Sequence, residues 1–140
     1  MPIEIAAPLE AGFRLWQSKQ FEAAQAQLRV ALARAEAARN IAGELGARQL
    51  LGDLAHDEGD LAAAWHHHSY VLELSRSLGL RLGMASALHN LGLIAAQENN
   101  LLVAHSLLGA AIATYESLGR PESVGLVRAN LAHFMSGPAA

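Results

Sequence analysis

The side chains able to do chemistry here are histidines, carboxylates and a few hydroxyls: the chain has 7 His, 13 Asp plus Glu, and no Cys. Without a thiol there is no disulfide, no thiolate metal site and no cysteine nucleophile. His66, His67 and His68 invite a metal reading. Consecutive helical residues point about 100° apart, so three neighbouring rings do not converge on one ion. No two histidines stand at i, i+4. His68 takes the inward position of its helix and is expected as a hydrogen-bonded core residue, with His66 and His67 outward. Neither a metal nor a cofactor is expected. Asp53 and His89 would make half of a hydrolase triad if adjacent helices brought them together. Ser86 stands one turn before His89 on the same helix, and no oxyanion donors accompany it, so no catalytic residue is expected. A polar pair that adjusts the pH response of a binding surface fits these residues better.

The elements that position these residues repeat. Gly12, Gly52 and Gly92 are spaced 40 residues apart, as are Ala24, Ala64 and Ala104, and Phe21, Leu61 and Leu101. The spacing of apolar residues predicts helices over residues 8–18, 21–39, 41 or 42–58, 61–78, 81–98, 101–118 and 121–135. Pro8 and Pro121 suit first turns, Asp60 suits an N-cap, and Gly79 and Gly119 suit C-caps. Asn40 is expected to close the second helix in a left-handed conformation. Gly137 and Pro138 are expected to end the fold. The result is an all-α chain: three helical hairpins at about residues 5–40, 41–80 and 81–120, and a capping helix at 121–136, in one domain spanning 1–140. A glycine inside a helix costs about 1 kcal/mol relative to alanine, so three at a fixed step need a common cause. Close approach of two helix backbones is that cause, with Ala24, Ala64 and Ala104 as the small residues opposite. Leu51, Leu91 and Leu131 are expected to fill the hairpin interiors, and Trp65 and Tyr70 to anchor the middle one.

Leu51–Gly52, Ala55, Gly59–Asp60, Ala64, His68 and Val71 together resemble one tetratricopeptide repeat. Leu91–Gly92, Ala95, Asn99–Asn100, Ala104, Leu108 and Ala111 resemble a second copy, and Ala11–Gly12, Leu15, Lys19–Gln20, Ala24, Leu28 and Ala31 a weaker one. Asn90 and Asn130 match a frequent family asparagine. The period exceeds the usual ~34 residues and is similar to a longer variant common in bacterial regulators. His68 and Lys19–Gln20 depart from the pattern. The resemblance covers about residues 5–136. It implies a right-handed α-solenoid whose first helices line a concave groove that binds a protein or peptide segment.

The groove side then carries Phe13, Trp16 and Gln17 on the first unit, Gln49, Asp53, His56 and Asp57 on the second, Ser86, His89 and Leu93 on the third, and Ala129 and His133 on the terminal helix. No Lys or Arg sits squarely on this side. The likeness to repeats that clamp a C-terminal carboxylate therefore fails, and a basic or amphipathic helix fits better. Two further readings stay open: a sensory module holding a signal peptide or small molecule in the same groove, and a self-associating scaffold. Between residues 82 and 115 the only formal charge is Glu98. Leu102, Val103, Ser106, Gly109, Ala110 and Ala113 either form a homodimer surface or are covered by the terminal helix.

Composition narrows the classes. Hydrophobic residues are 52% and charged residues 16%, enough for a core. A net charge of -3 argues against a nucleic-acid surface. No apolar run reaches roughly 18 residues, so no membrane partner is expected. Glu4 stands where a signal peptide carries positive charge, so a cytoplasmic location is expected.

Overall fold

A computed structural model describes residues 1–136 and places them in seven α-helices: α1 (Ile3–Gln17), α2 (Phe21–Ala37), α3 (Ile41–Asp57), α4 (Leu61–Ser77), α5 (Arg81–Gln97), α6 (Leu101–Ser117) and α7 (Pro121–Ser136). Gly137 and Pro138 lie outside the described residues. No strand occurs among the described residues. Five of the helices, α2 to α6, have the same length of 17 residues.

Every helix before α7 ends the same way. In the turn after α1, the Lys19 N–H donates to the Trp16 carbonyl at 2.8 Å and the Gln20 N–H to Leu15 at 2.8 Å. This pair of bonds is the Schellman closure, and it requires a left-handed residue between its donors. Gly59, Gly79 and Gly119 supply it with φ of 80°, 67° and 66°. Lys19, Arg39 and Asn99 adopt it without being glycine, with φ of 60°, 53° and 61°. Asn40 therefore does not close α2, as the sequence suggested. Arg39 takes the left-handed position, and the Asn40 side chain caps α3 by accepting the Gly43 N–H at 2.9 Å. Asp60 caps α4 as expected, accepting from Ala63 at 3.1 Å.

α1 begins at Ile3, earlier than the expected residue 8, and Pro8 lies inside it. An interior proline leaves the carbonyl four residues back without a donor. That carbonyl belongs to Glu4, and the Arg34 guanidinium of α2 donates to it at 2.8 Å. The extra turn has its own packing reason, since Ile5 is only 1% exposed. Arg34→Ala should lower stability by about 1 kcal/mol, less than the ~1.5–3 kcal/mol of a hydrogen bond to a charged group because the site is open to water. Pro8→Ala restores an N–H to the Glu4 carbonyl, so the same arginine change should cost less in that background. Equal losses in both backgrounds, measured by urea unfolding, would discard this account.

The contacts form two compact units, Met1–His67 and His68–Ala140. In the first, α1 packs on α2, α2 on α3, and α1 also touches α3. Its core joins Ala24, Leu28, Leu51 and Leu54 to Leu9, Leu15, Trp16, Phe21, Leu32 and Leu50. In the second, α5 packs on α6, α6 on α7, and α5 touches α7. Ala95, Ala96 and Ala104 pack there with Leu107 and Phe134.

Gly12, Gly52 and Gly92 are all buried inside their helices. A Cβ on Gly12 would stand 2.6 Å from the end of Leu28 and 3.3 Å from the Ala24 carbonyl oxygen; on Gly92 it would stand 2.5 Å from Leu108. The close approach is real, but its main occupant differs from the expected one. Ala24 and Ala104 are fully buried, yet the leucine one turn further on fills the space over each glycine.

A second close approach repeats as well. A Cβ on Gly43 would lie 3.1 Å from Ala35, and one on Gly83 would lie 2.5 Å from the Ser75 hydroxyl. Ser75 is 0% exposed, and among the described residues its hydroxyl has no hydrogen-bond partner. Ala35 stands one 40-residue period before Ser75. Ser75→Ala should therefore raise the unfolding free energy by about 1 kcal/mol, the cost of a buried unsatisfied group. A loss of stability in thermal melts would show that the hydroxyl has a partner.

Candidate functional site

Phe13 and Trp16 are three residues apart and share a face of the last turns of α1. Their rings meet edge to face, 5.9 Å between centroids and 88° between planes. The Trp16 indole N–H donates to Asp57 Oδ2 at 2.7 Å. Asp57 is the last residue of α3, where the helix dipole disfavours negative charge. The indole bond compensates in part. Lys19 enters from the left-handed turn, and Phe21 opens α2 beside it. Together Phe13, Trp16, Gln17, Lys19, Phe21 and Asp57 line an open pocket of about 320 Å³. Phe13 remains 43% exposed, an aromatic ring held at the surface next to a fixed carboxylate.

Four of the expected groove residues thus meet at one pocket: Phe13, Trp16, Gln17 and Asp57. Lys19 and Phe21 are the two that sequence reasoning missed there. They sit in and after a turn, where helical periodicity gives no face. Gln49, Asp53 and His56 are half-buried along α3 and do not line this pocket.

The residues expected on the third hairpin are partly drawn into its packing. Ser86, His89 and Leu93 are half-buried. The Asn130 amide of α7 lies 2.9 Å from His89 Nε2. An amide N–H donating there leaves the ring proton on Nδ1. Burial pushes the His89 pKa below its usual value. Burial raises the Tyr115 pKa, opposed by a side-chain hydrogen bond with Ser86 and by the Arg120 charge. His133 is exposed and packs its ring on Phe134, 5.3 Å away.

Because folding lowers the His89 pKa, the unfolded chain binds its proton more readily. Its contribution to stability is then complete above pH about 6.5 and lost as pH falls through the lowered folded value. Unfolding midpoints should drop between pH 7 and 5, and His89→Gln should flatten that dependence. An unchanged slope in the variant would assign the effect elsewhere.

A second pocket of about 380 Å³ lies in the second unit, with Glu116, Arg120, Val124 and Arg128 in its lining. Arg128 pairs with Glu116 at 3.5 Å. On α6, Leu102 is 83% exposed, and Val103, Ser106, Ala110 and Ala113 are also exposed. A Cβ on Gly109 would meet nothing within 4 Å. The terminal helix therefore leaves this face uncovered.

His68 is buried and His66 exposed, as expected, whereas His67 is half-buried. Trp65 and Tyr70, expected as core anchors, are 38% and 37% exposed. Among the described residues no three His or carboxylate side chains are grouped to hold a metal, and no helix is long and apolar enough to cross a membrane. No protein-family model matches the chain, and no curated protein matches it.

Proposed function

We propose that this chain is a non-catalytic interaction module that holds a protein or peptide segment at the face carrying Phe13, Trp16, Gln17 and Asp57. One observation carries the reading: a carboxylate is fixed by an indole N–H at 2.7 Å, against the helix dipole, beside an exposed phenylalanine. Aromatic rings are what binding surfaces concentrate, and an oriented charge adds selectivity for the partner. At about 320 Å³ the pocket falls at the small end of the roughly 300–1,000 Å³ typical of ligand sites, the size of one or two side chains. A right-handed solenoid of the tetratricopeptide type, working in the cytoplasm, belongs to the same proposal. It is supported by the repeating glycine and alanine positions and the uniform helices.

A peptide array probed with the protein and with Phe13→Ala and Asp57→Asn variants tests this. Both variants should stay folded by circular dichroism and lose the bound peptides. An unchanged peptide set would remove this face as the site. The exposure of Leu102 favours a second reading, self-association through α6. Sedimentation should then show dimers that Leu102→Glu dissociates, and a monomer at high concentration would end that reading.

A further inference from the structure

We infer that the pocket between α1, α2 and α3 takes an arginine side chain of the partner segment. This rests on the module reading above and adds the chemistry of the ligand. Three features of the pocket share one electrostatic sign. Phe13, Trp16 and Phe21 line it, and the π-faces of aromatic rings attract cations. Asp57 brings a full negative charge, and Trp16 uses only one of the roughly four acceptor positions of its carboxylate. α1 and α3 both end here, at Gln17 and Asp57, and helix C-termini carry partial negative charge.

The alternatives fit less well. An aliphatic side chain would cover the rings but would also strip water from Asp57 without giving it a partner. An acidic side chain would meet Asp57 at close range. Lysine would satisfy the charge, but its ammonium is a compact, strongly hydrated point. A guanidinium is planar, stacks on aromatic faces and offers a fork of donors to a carboxylate. Lys19 lines the same pocket and acts as a tethered competitor. It sits in a left-handed turn at φ 60° on a flexible stem, free to swing aside when a guanidinium arrives.

The test uses the full chain carrying Trp65→Phe, which leaves Trp16 as the sole indole of the 2 Trp. N-acetyl-arginine amide, N-acetyl-norleucine amide and N-acetyl-glutamate amide are titrated while Trp16 fluorescence is followed. The arginine probe should saturate, bind about fivefold or more tighter than norleucine, and weaken as salt rises. Asp57→Asn keeps an acceptor for the indole and should cost the arginine probe about fivefold, leaving norleucine unchanged. Lys19→Ala should tighten arginine binding about twofold to fivefold. Should Asp57→Asn loosen the fold, the salt series and the Lys19→Ala arm decide without it. Equal binding of arginine and norleucine, or tighter binding of glutamate, overturns the arginine assignment. No response to any probe overturns it too. The module reading is judged separately, by whether the peptide array loses its signal in the Phe13→Ala variant.

Discussion

Leu28→Ala and Leu108→Ala should each remove about 3 kcal/mol, within the ~2–5 kcal/mol usual for a large buried aliphatic cut to alanine. Both leucines are 0% exposed, and each lies over a glycine of the facing helix. Leucine there fills a space that no other side chain borders from the glycine side, so truncation leaves a cavity with a bare backbone wall. Such a wall belongs to a hydrogen-bonded helix and relaxes little, which keeps the cost in the middle of the range. Chemical unfolding with the slope checked between variants is the measurement. Losses under 1 kcal/mol would mean that the hairpins collapse to close the gap.

Gly12→Ala and Gly92→Ala should each destabilise by about 1–2 kcal/mol, against the ordinary preference of helices for alanine. The added methyl would stand 2.6 Å or 2.5 Å from the leucine end and 2.8 Å or 2.7 Å from its branching carbon. Displacing the branch point moves the whole side chain, and the core is packed around it. The decisive result is a change of sign. In the Leu28→Ala background the obstacle is gone, so Gly12→Ala should then stabilise by about 0.5–1 kcal/mol. Gly46→Ala, Gly109→Ala and Gly125→Ala are the controls. A Cβ at any of them meets nothing within 4 Å, so each should stabilise by a similar amount in the native background. If Gly12→Ala behaves like these three, the close approach of α1 and α2 is wrong.

The glycine repeat made the hairpins legible, because burial forced one residue type at one step. Gly79 and Gly119 were legible as helix ends for a different reason, since glycine takes the left-handed form without strain. Lys19 and Arg39 take that form with a side chain attached, and nothing in their identity signals it. Asn40 had two roles open, left-handed closure or N-cap, and the neighbouring Arg39 took the first. The early start of α1 was hidden by Pro8, whose cost is offset by an arginine far along the chain. At the candidate site helical phase placed Trp16 and Asp57 among the expected surface residues, and both line one pocket. Their bond spans 41 residues and depends on tertiary placement. The His89–Asn130 pair spans the same 41 residues, and helical phase alone gave no sign of it.

The uniform helices constrain how a chain of this design changes length. Adding one residue within a helix would swing everything beyond it by about 100°, aiming buried leucines at water. Inserting or deleting a full 40-residue hairpin leaves the phase of every remaining helix intact, because the glycine step is 40 residues throughout. A change of length that keeps every buried leucine facing inward therefore comes as a whole hairpin.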